Sequence, residues 1–211
     1  MFANLDKVPE ETHPPASALG YVLPANVAAL RPNPSASVDQ LVADFAVAVS
    51  SYYPPYTMQD SMDPTPLSNS LPLHKASAKV DQKFLPTTVK MKPEVLQSLI
   101  HPPIMGEHQR LMWALDIDIL KDNLHRALLD CRFNVGPEPS KKVWPNLRVH
   151  LIYCDMTFRT CAWGATVVWL EHQRADQEYR RHLELHKLER ANHFVHWEEP
   201  ERFTSFLAGI V

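Results

Sequence analysis

Two side chains near the end of the chain have the types and the placing of an acid/base pair. His193 sits in Ala191-Asn-His-Phe-Val-His-Trp-Glu-Glu-Pro-Glu-Arg-Phe203, just ahead of a helix that Pro200 can start, and Asp155 ends the apolar run Val149-His-Leu-Ile-Tyr-Cys-Asp155. An imidazole titrates near neutrality, so a loop histidine supported by a carboxylate can take a proton from a nucleophile or from water. The carboxylate would orient the ring and stabilise the imidazolium. The two residues are 38 positions apart, which leaves room for one helix and one strand. Two structural alternatives stand beside this chemistry. His193 next to Phe194 could be a packed, hydrogen-bonded ring, and Asp155 could cap the helix that follows it.

Three other groupings carry less. His182, His186, His193 and His196 with Glu184 and Glu189 have the residue types of a metal site. But Glu171–Arg202 holds 14 charges in 32 residues, which a solvated face explains. With 183–188 as a strand, His182 and His186 lie about 13 Å apart, four residues at about 3.3 Å each and too far for one ion. No metal and no cofactor is expected. Asp116 and Asp118 are paired acids, yet positions i and i+2 of a helix point apart. Cys154 is a conceivable nucleophile, but the adjacent Asp155 raises a thiol's pKa and lowers its reactivity.

The elements that must hold these residues follow from periodicity. Leu147–Cys154 alternates and is rich in β-formers, so it reads as a strand. A helix from about Ala162 to Gln173 follows, with Trp163, Val167 and Leu170 on one face. Leu183–Leu188 reads as a second strand. Glu199-Pro-Glu-Arg-Phe203 opens a last helix that buries Phe203, Phe206, Leu207 and Ile210. The order β-α-β-α without a hairpin turn predicts parallel strands and an α/β class. Upstream, Val38, Leu41, Val42, Phe45, Ala48 and Val49 mark an amphipathic helix from Ser37 to about Ser51. Ser37 and Gln40 form a capping box at its start, and Pro54-Pro55 closes it. Residues 94–100 and 107–133 read as further helices, the second carrying Leu111, Leu115, Ile119, Leu124 and Leu128.

Composition removes several function classes. The 5 glycines, at 20, 106, 136, 164 and 209, are too scattered for G-x-G-x-x-G, a P-loop or a G-x-S-x-G turn. Glycine makes up about 2% and proline about 9% of the chain, against about 7% and 5% on average. Of the 19 prolines 18 lie in residues 1–145, so that part should hold short helices between irregular connections. With 21 basic and 24 acidic residues there is no basic footprint for nucleic acid. The odd set Cys131, Cys154 and Cys161 suits reduced intracellular thiols. No apolar run is long enough to span a membrane, and Met1–Pro9 lacks a signal peptide's apolar core. A cytoplasmic protein with no membrane partner is the expectation.

The His193 segment resembles the C-terminal histidine motif of the α/β-hydrolase superfamily, a Gly/Asn-His-Phe-x-x-x-E-x-P-E-x-Phe run that carries the catalytic base. Val149–Thr157 is similar to the family's penultimate strand, which ends in the triad acid. The likeness is good over 147–211; upstream, Ser37–Ser51 resembles the helix before the nucleophile strand and Met62-Asp-Pro64 a following Asp-Pro. The interval Ser51–Asp63 has no glycine and no apolar strand, so the nucleophile elbow is missing and no nucleophile is assigned. The resemblance therefore implies an incomplete α/β-hydrolase-like parallel sheet with flanking helices and a helical cap segment, in a shortened hydrolase or a gene-model product. It divides the chain into a proline-rich segment (1–36), a helix and connection (37–63), a cap-like region (64–146) and an α/β lobe (147–211). It further implies hydrolysis of ester-, amide- or epoxide-type bonds in small apolar substrates, with Asp155 as acid and His193 as base. The alternative is a non-catalytic remnant acting as a binding module, self-associating through an exposed sheet edge.

Overall fold

The computed structural model describes residues 20–22, 24, 37–67, 70–76, 79–101, 104, 116–133 and 141–210. Among them the chain mixes helices with two small sheets. Helix α1 (Val38–Ser50) begins where the Ser37 hydroxyl accepts the Gln40 N–H at 3.2 Å, satisfying an amide that has no partner inside the helix. The Gln40 side chain donates to Asp44 at 2.8 Å and does not return to residue 37, so half of the expected capping box forms.

Proline then cuts the chain into short pieces: α2 (Leu73–Ala76), α3 (Thr87–Lys90) and α4 (Pro93–Leu99), with 3₁₀ turns at Thr65–Leu67 and Gln82–Phe84. Pro93 opens α4, where its missing N–H would have had no partner. Helix α5 (Ile117–Leu124) starts on the Asp116 side chain and runs into a π-helical turn at His125–Leu129.

The helix expected over 107–133 thus ends at Leu129. Asp130 turns extended, accepts the Arg132 N–H at 3.2 Å and holds the Arg132 guanidinium. Arg132–Phe133 (β1) then pairs antiparallel with Lys141–Lys142 (β2). Leu111 and Leu115 lie outside the described residues, as does most of 1–36.

From Arg148 the order is β3 (Arg148–Cys154), α6 (Arg159–Arg174), β4 (His182–Leu188), α7 (Val195–Glu198) and α8 (Pro200–Ile210). The two strands are parallel, with Arg148 opposite His182 and Cys154 opposite Leu188, and the 16-residue α6 is the crossover that such a pair requires. Alternation sends Val149, Leu151, Tyr153, Leu183 and Leu185 to one face, where they pack on Trp163, Ala165, Val167 and Val168 of α6. Ile152, Cys154 and Leu188 point to the other face and meet Phe203 and Phe206 of α8. Phe203, Phe206, Leu207 and Ile210 end half-buried, not buried, because α8 faces only the carboxyl half of that side.

Buried Arg181 fastens the start of β4. Its guanidinium donates to the carbonyls of Ala127 (2.9 Å), Trp144 (2.8 Å) and Val143 (3.2 Å). No helix among the described residues is long and apolar enough to cross a membrane.

Candidate functional site

Parallel strands that start in register also end together, so the residues following β3 and β4 share one sheet edge, where open α/β sheets place their sites. The ladder continues past the strands: Asp155 N–H donates to the Leu188 carbonyl at 3.1 Å and Met156 N–H to that of Ala191 at 3.0 Å. The segment after α1 closes on the same edge, with Tyr53 N–H donating to Met156 at 3.0 Å and Tyr56 N–H to Asp155 at 2.7 Å.

Asp155 is buried, and its carboxylate accepts the N–H of Ala191 at 3.4 Å and a backbone N–H of Arg190. Arg190 is in the left-handed region (φ 55°), a strained conformation for a residue with a side chain, and the carboxylate holds that turn. Burial raises the Asp155 pKa, and the two amides and Lys187 oppose the rise. No hydrogen bond joins Asp155 to His193. Nor does it cap α6, whose N-cap Phe158 has no side-chain bond. Asp155 positions the loop that carries the histidine and leaves the ring to other partners.

The residue before His193 is the most tightly held in the loop. Asn192, fully buried, donates to the Ser50 carbonyl at 2.7 Å and the Thr87 hydroxyl at 2.9 Å, and accepts the Phe194 N–H at 2.9 Å. The Thr87 hydroxyl in turn donates to Glu198 at 2.5 Å, and Lys90 pairs with that carboxylate. The end of α1, the start of α3 and the His193 loop are locked into one network, although they are far apart in the chain. Such networks specify a single arrangement when every member is satisfied.

His193 itself faces sulfur. Its Nδ1 is 3.8 Å from Sγ of Cys161, in the first turn of α6. In a Ser-His-Asp arrangement Nδ1 is the nitrogen that the acid holds; here the thiol takes that place. Both side chains line one end of a groove of about 510 Å³ with Cys154, Thr157, His196 and Phe203, while Leu124, Leu128, Val149 and Val168 make the rest apolar. Water reaches Cys161 and His193 from the groove, but the surrounding protein favours their neutral forms. Burial lowers the His193 pKa, helped by His196, and raises that of Cys161 against a hydrogen bond from Thr157. The resting pair is therefore thiol and neutral imidazole. Cys154 is pushed up to about 12 by burial first and by Asp155 second, which keeps it a poor nucleophile.

Cys161 was not singled out from the sequence. The available signal was its place: the first turn of the crossover helix shares an edge with the loop after the second strand. The histidines considered for metal are dispersed, with His193 and His196 on the carboxyl-edge loop and α7 and His182 and His186 on β4. Among the described residues one group of metal-ligating types is close enough to share an ion, His150 with Glu184 and His186. Set against protein-family models, curated proteins and solved structures, the chain matches none.

Proposed function

We propose that this protein is an α/β-hydrolase-like enzyme that cleaves ester-type bonds in small apolar substrates, with Cys161 as nucleophile and His193 as its base. The carrying observation is the 3.8 Å approach of Sγ to Nδ1 at the end of an apolar groove of about 510 Å³. That volume is within the range that takes small molecules. Because both groups rest neutral, His193 removes the thiol proton as sulfur attacks the carbonyl carbon. The imidazolium then protonates the departing alcohol, leaving an acyl thioester on Cys161. Neutral His193 next takes a proton from water, which attacks the thioester, and the thiol recovers its proton as the acid leaves. The amides of Arg159 and Thr160, at the positive end of α6, have no backbone acceptor among the described residues and suit the oxyanion.

The resemblance of 147–211 to the α/β-hydrolase histidine motif supports His193 as base, with two departures. The nucleophile comes from the helix after the acid's strand, not from an elbow before it, and Asp155 acts through the loop. Amides and epoxides, which the family also cleaves, demand more of a nucleophile that rests protonated.

Turnover of a short-chain fluorogenic ester by wild type, Cys161→Ala and His193→Ala is the test. Either substitution should cost at least about 100-fold, the lower end of what a positioned base contributes. Equal background rates in all three proteins would contradict the enzyme. A binding module is the second reading, favoured by one observation: among the described residues β3 pairs only with β4, which leaves its other edge unpaired beside the groove.

A further inference from the structure

A second group of side chains is built across the two strands. His150 of β3 stands opposite Glu184 of β4, and His186 follows on the same face of the sheet. His150 Nδ1 is 3.0 Å from His186 Nε2 and 3.7 Å from Glu184 Oε2, and that oxygen is 3.8 Å from His186 Nε2. A triangle with these sides has a circumradius of about 2.0 Å, which is within the bond lengths of zinc to imidazole nitrogen and to carboxylate oxygen. Three donors of the right type are thus already equidistant from one point at bonding distance.

The carboxylate is prepared for this role. Arg148 and His182 both engage Oε1, His182 at 3.0 Å, so Oε2 is the atom turned to the two rings. Outer partners of this kind orient a ligand and tune the metal. All three side chains are partly open (21%, 32% and 20% exposed), so an ion can enter from solvent and keep water as a fourth ligand. Without an ion, the two rings at 3.0 Å must share a single hydrogen bond, which requires at least one of them neutral.

We propose that His150, Glu184 and His186 bind one divalent first-row transition ion, zinc above all, which ties β3 to β4. Two imidazole donors disfavour magnesium and calcium, and the lack of thiolate disfavours copper(I). The site does not depend on the Cys161–His193 pair.

Chelator-treated full-length protein titrated with zinc by calorimetry tests this, with cobalt(II) as a spectroscopic probe. Wild type should bind one zinc per chain, show the d–d bands of four-coordinate cobalt, and release zinc on acidification, because protons compete with the metal for its ligand atoms. His150→Gln, His186→Gln and Glu184→Gln should each weaken binding at least about tenfold, while the Cys161→Ala/His193→Ala double variant should bind as wild type does. X-ray absorption of zinc-loaded wild type, which needs no variant to fold, should show two imidazole nitrogens and no sulfur. The proposal is overturned by no stoichiometric binding to folded protein, by unchanged affinity in the three Gln variants, by loss in the Cys161/His193 variant, or by sulfur in the zinc shell.

Discussion

Replacing Asn192 with Ala removes three hydrogen bonds from a fully buried position, to Ser50 (2.7 Å), Thr87 (2.9 Å) and Phe194 (2.9 Å). The Thr87 hydroxyl keeps its bond to Glu198, but the buried Ser50 carbonyl and the Phe194 N–H lose their good partners. A stranded buried group costs about 1–3 kcal/mol, so Asn192→Ala should destabilise by about 2–5 kcal/mol. For a urea slope of about 2 kcal/mol/M the unfolding midpoint then falls by about 1–2.5 M. Asn192→Asp keeps the acceptor for Phe194 but loses both donors and sets a charge against the Ser50 carbonyl. It should be as damaging at pH 7 and milder near pH 4. His193→Ala, at an exposed position of the same loop, should stay within about 0.5 kcal/mol of wild type. An Asn192→Ala midpoint indistinguishable from that of His193→Ala would refute the claim that Asn192 pins the loop.

Acidification from pH 7 to 5 should lower the urea midpoint. His74, His172 and His193 all have pKa values lowered by burial, so the unfolded chain binds protons that the folded one refuses, and stability falls as pH drops through 6.5 towards the folded values. Asp155, raised by burial, opposes them alone, and Glu184 at about 2 stays ionised throughout. His172→Gln should flatten this slope, and a midpoint equal at the two pH values would contradict it. Alkylation of Cys161 by iodoacetamide, followed by peptide mass spectrometry, should have its midpoint above the ordinary thiol value of 9.0, with Cys154 slower still; a midpoint below 9.0 would contradict the upward shift that burial gives Cys161. Arg181→Lys should destabilise by at least about 2 kcal/mol, because one ammonium cannot serve three carbonyls in a fork geometry; thermal melts that coincide with wild type would count against the clamp.

The α/β lobe was legible because its local signals agree with its packing. Alternation in 147–154, the apolar stripe of Trp163, Val167 and Leu170, and Pro200 at a helix start each report what the tertiary structure uses. The helix over 107–133 misled because its apolar spacing reaches Leu128, while the stop depends on Asp130 gripping Arg132 and on a strand partner at Lys141. The edge that carries Asp155 and His193 followed from strand order. Which atom meets Nδ1 did not, since that depends on a left-handed turn at Arg190 and on Asn192 reaching back to Ser50. Spacing along one strand set His182 and His186 apart and left His150 out of view. Only the parallel register brings His150 beside Glu184 and within 3.0 Å of His186.

The working of the Cys161–His193 pair is tested most directly by trapping its covalent product. After a brief exposure to an activated short-chain ester and a quench in acid, peptide mass spectrometry should find one acyl group, on Cys161, in wild type and none in His193→Gln. Acylation spread over Cys131, Cys154 and Cys161 alike, or equal labelling of Cys161 without the imidazole, would show that residue 193 does not activate the thiol.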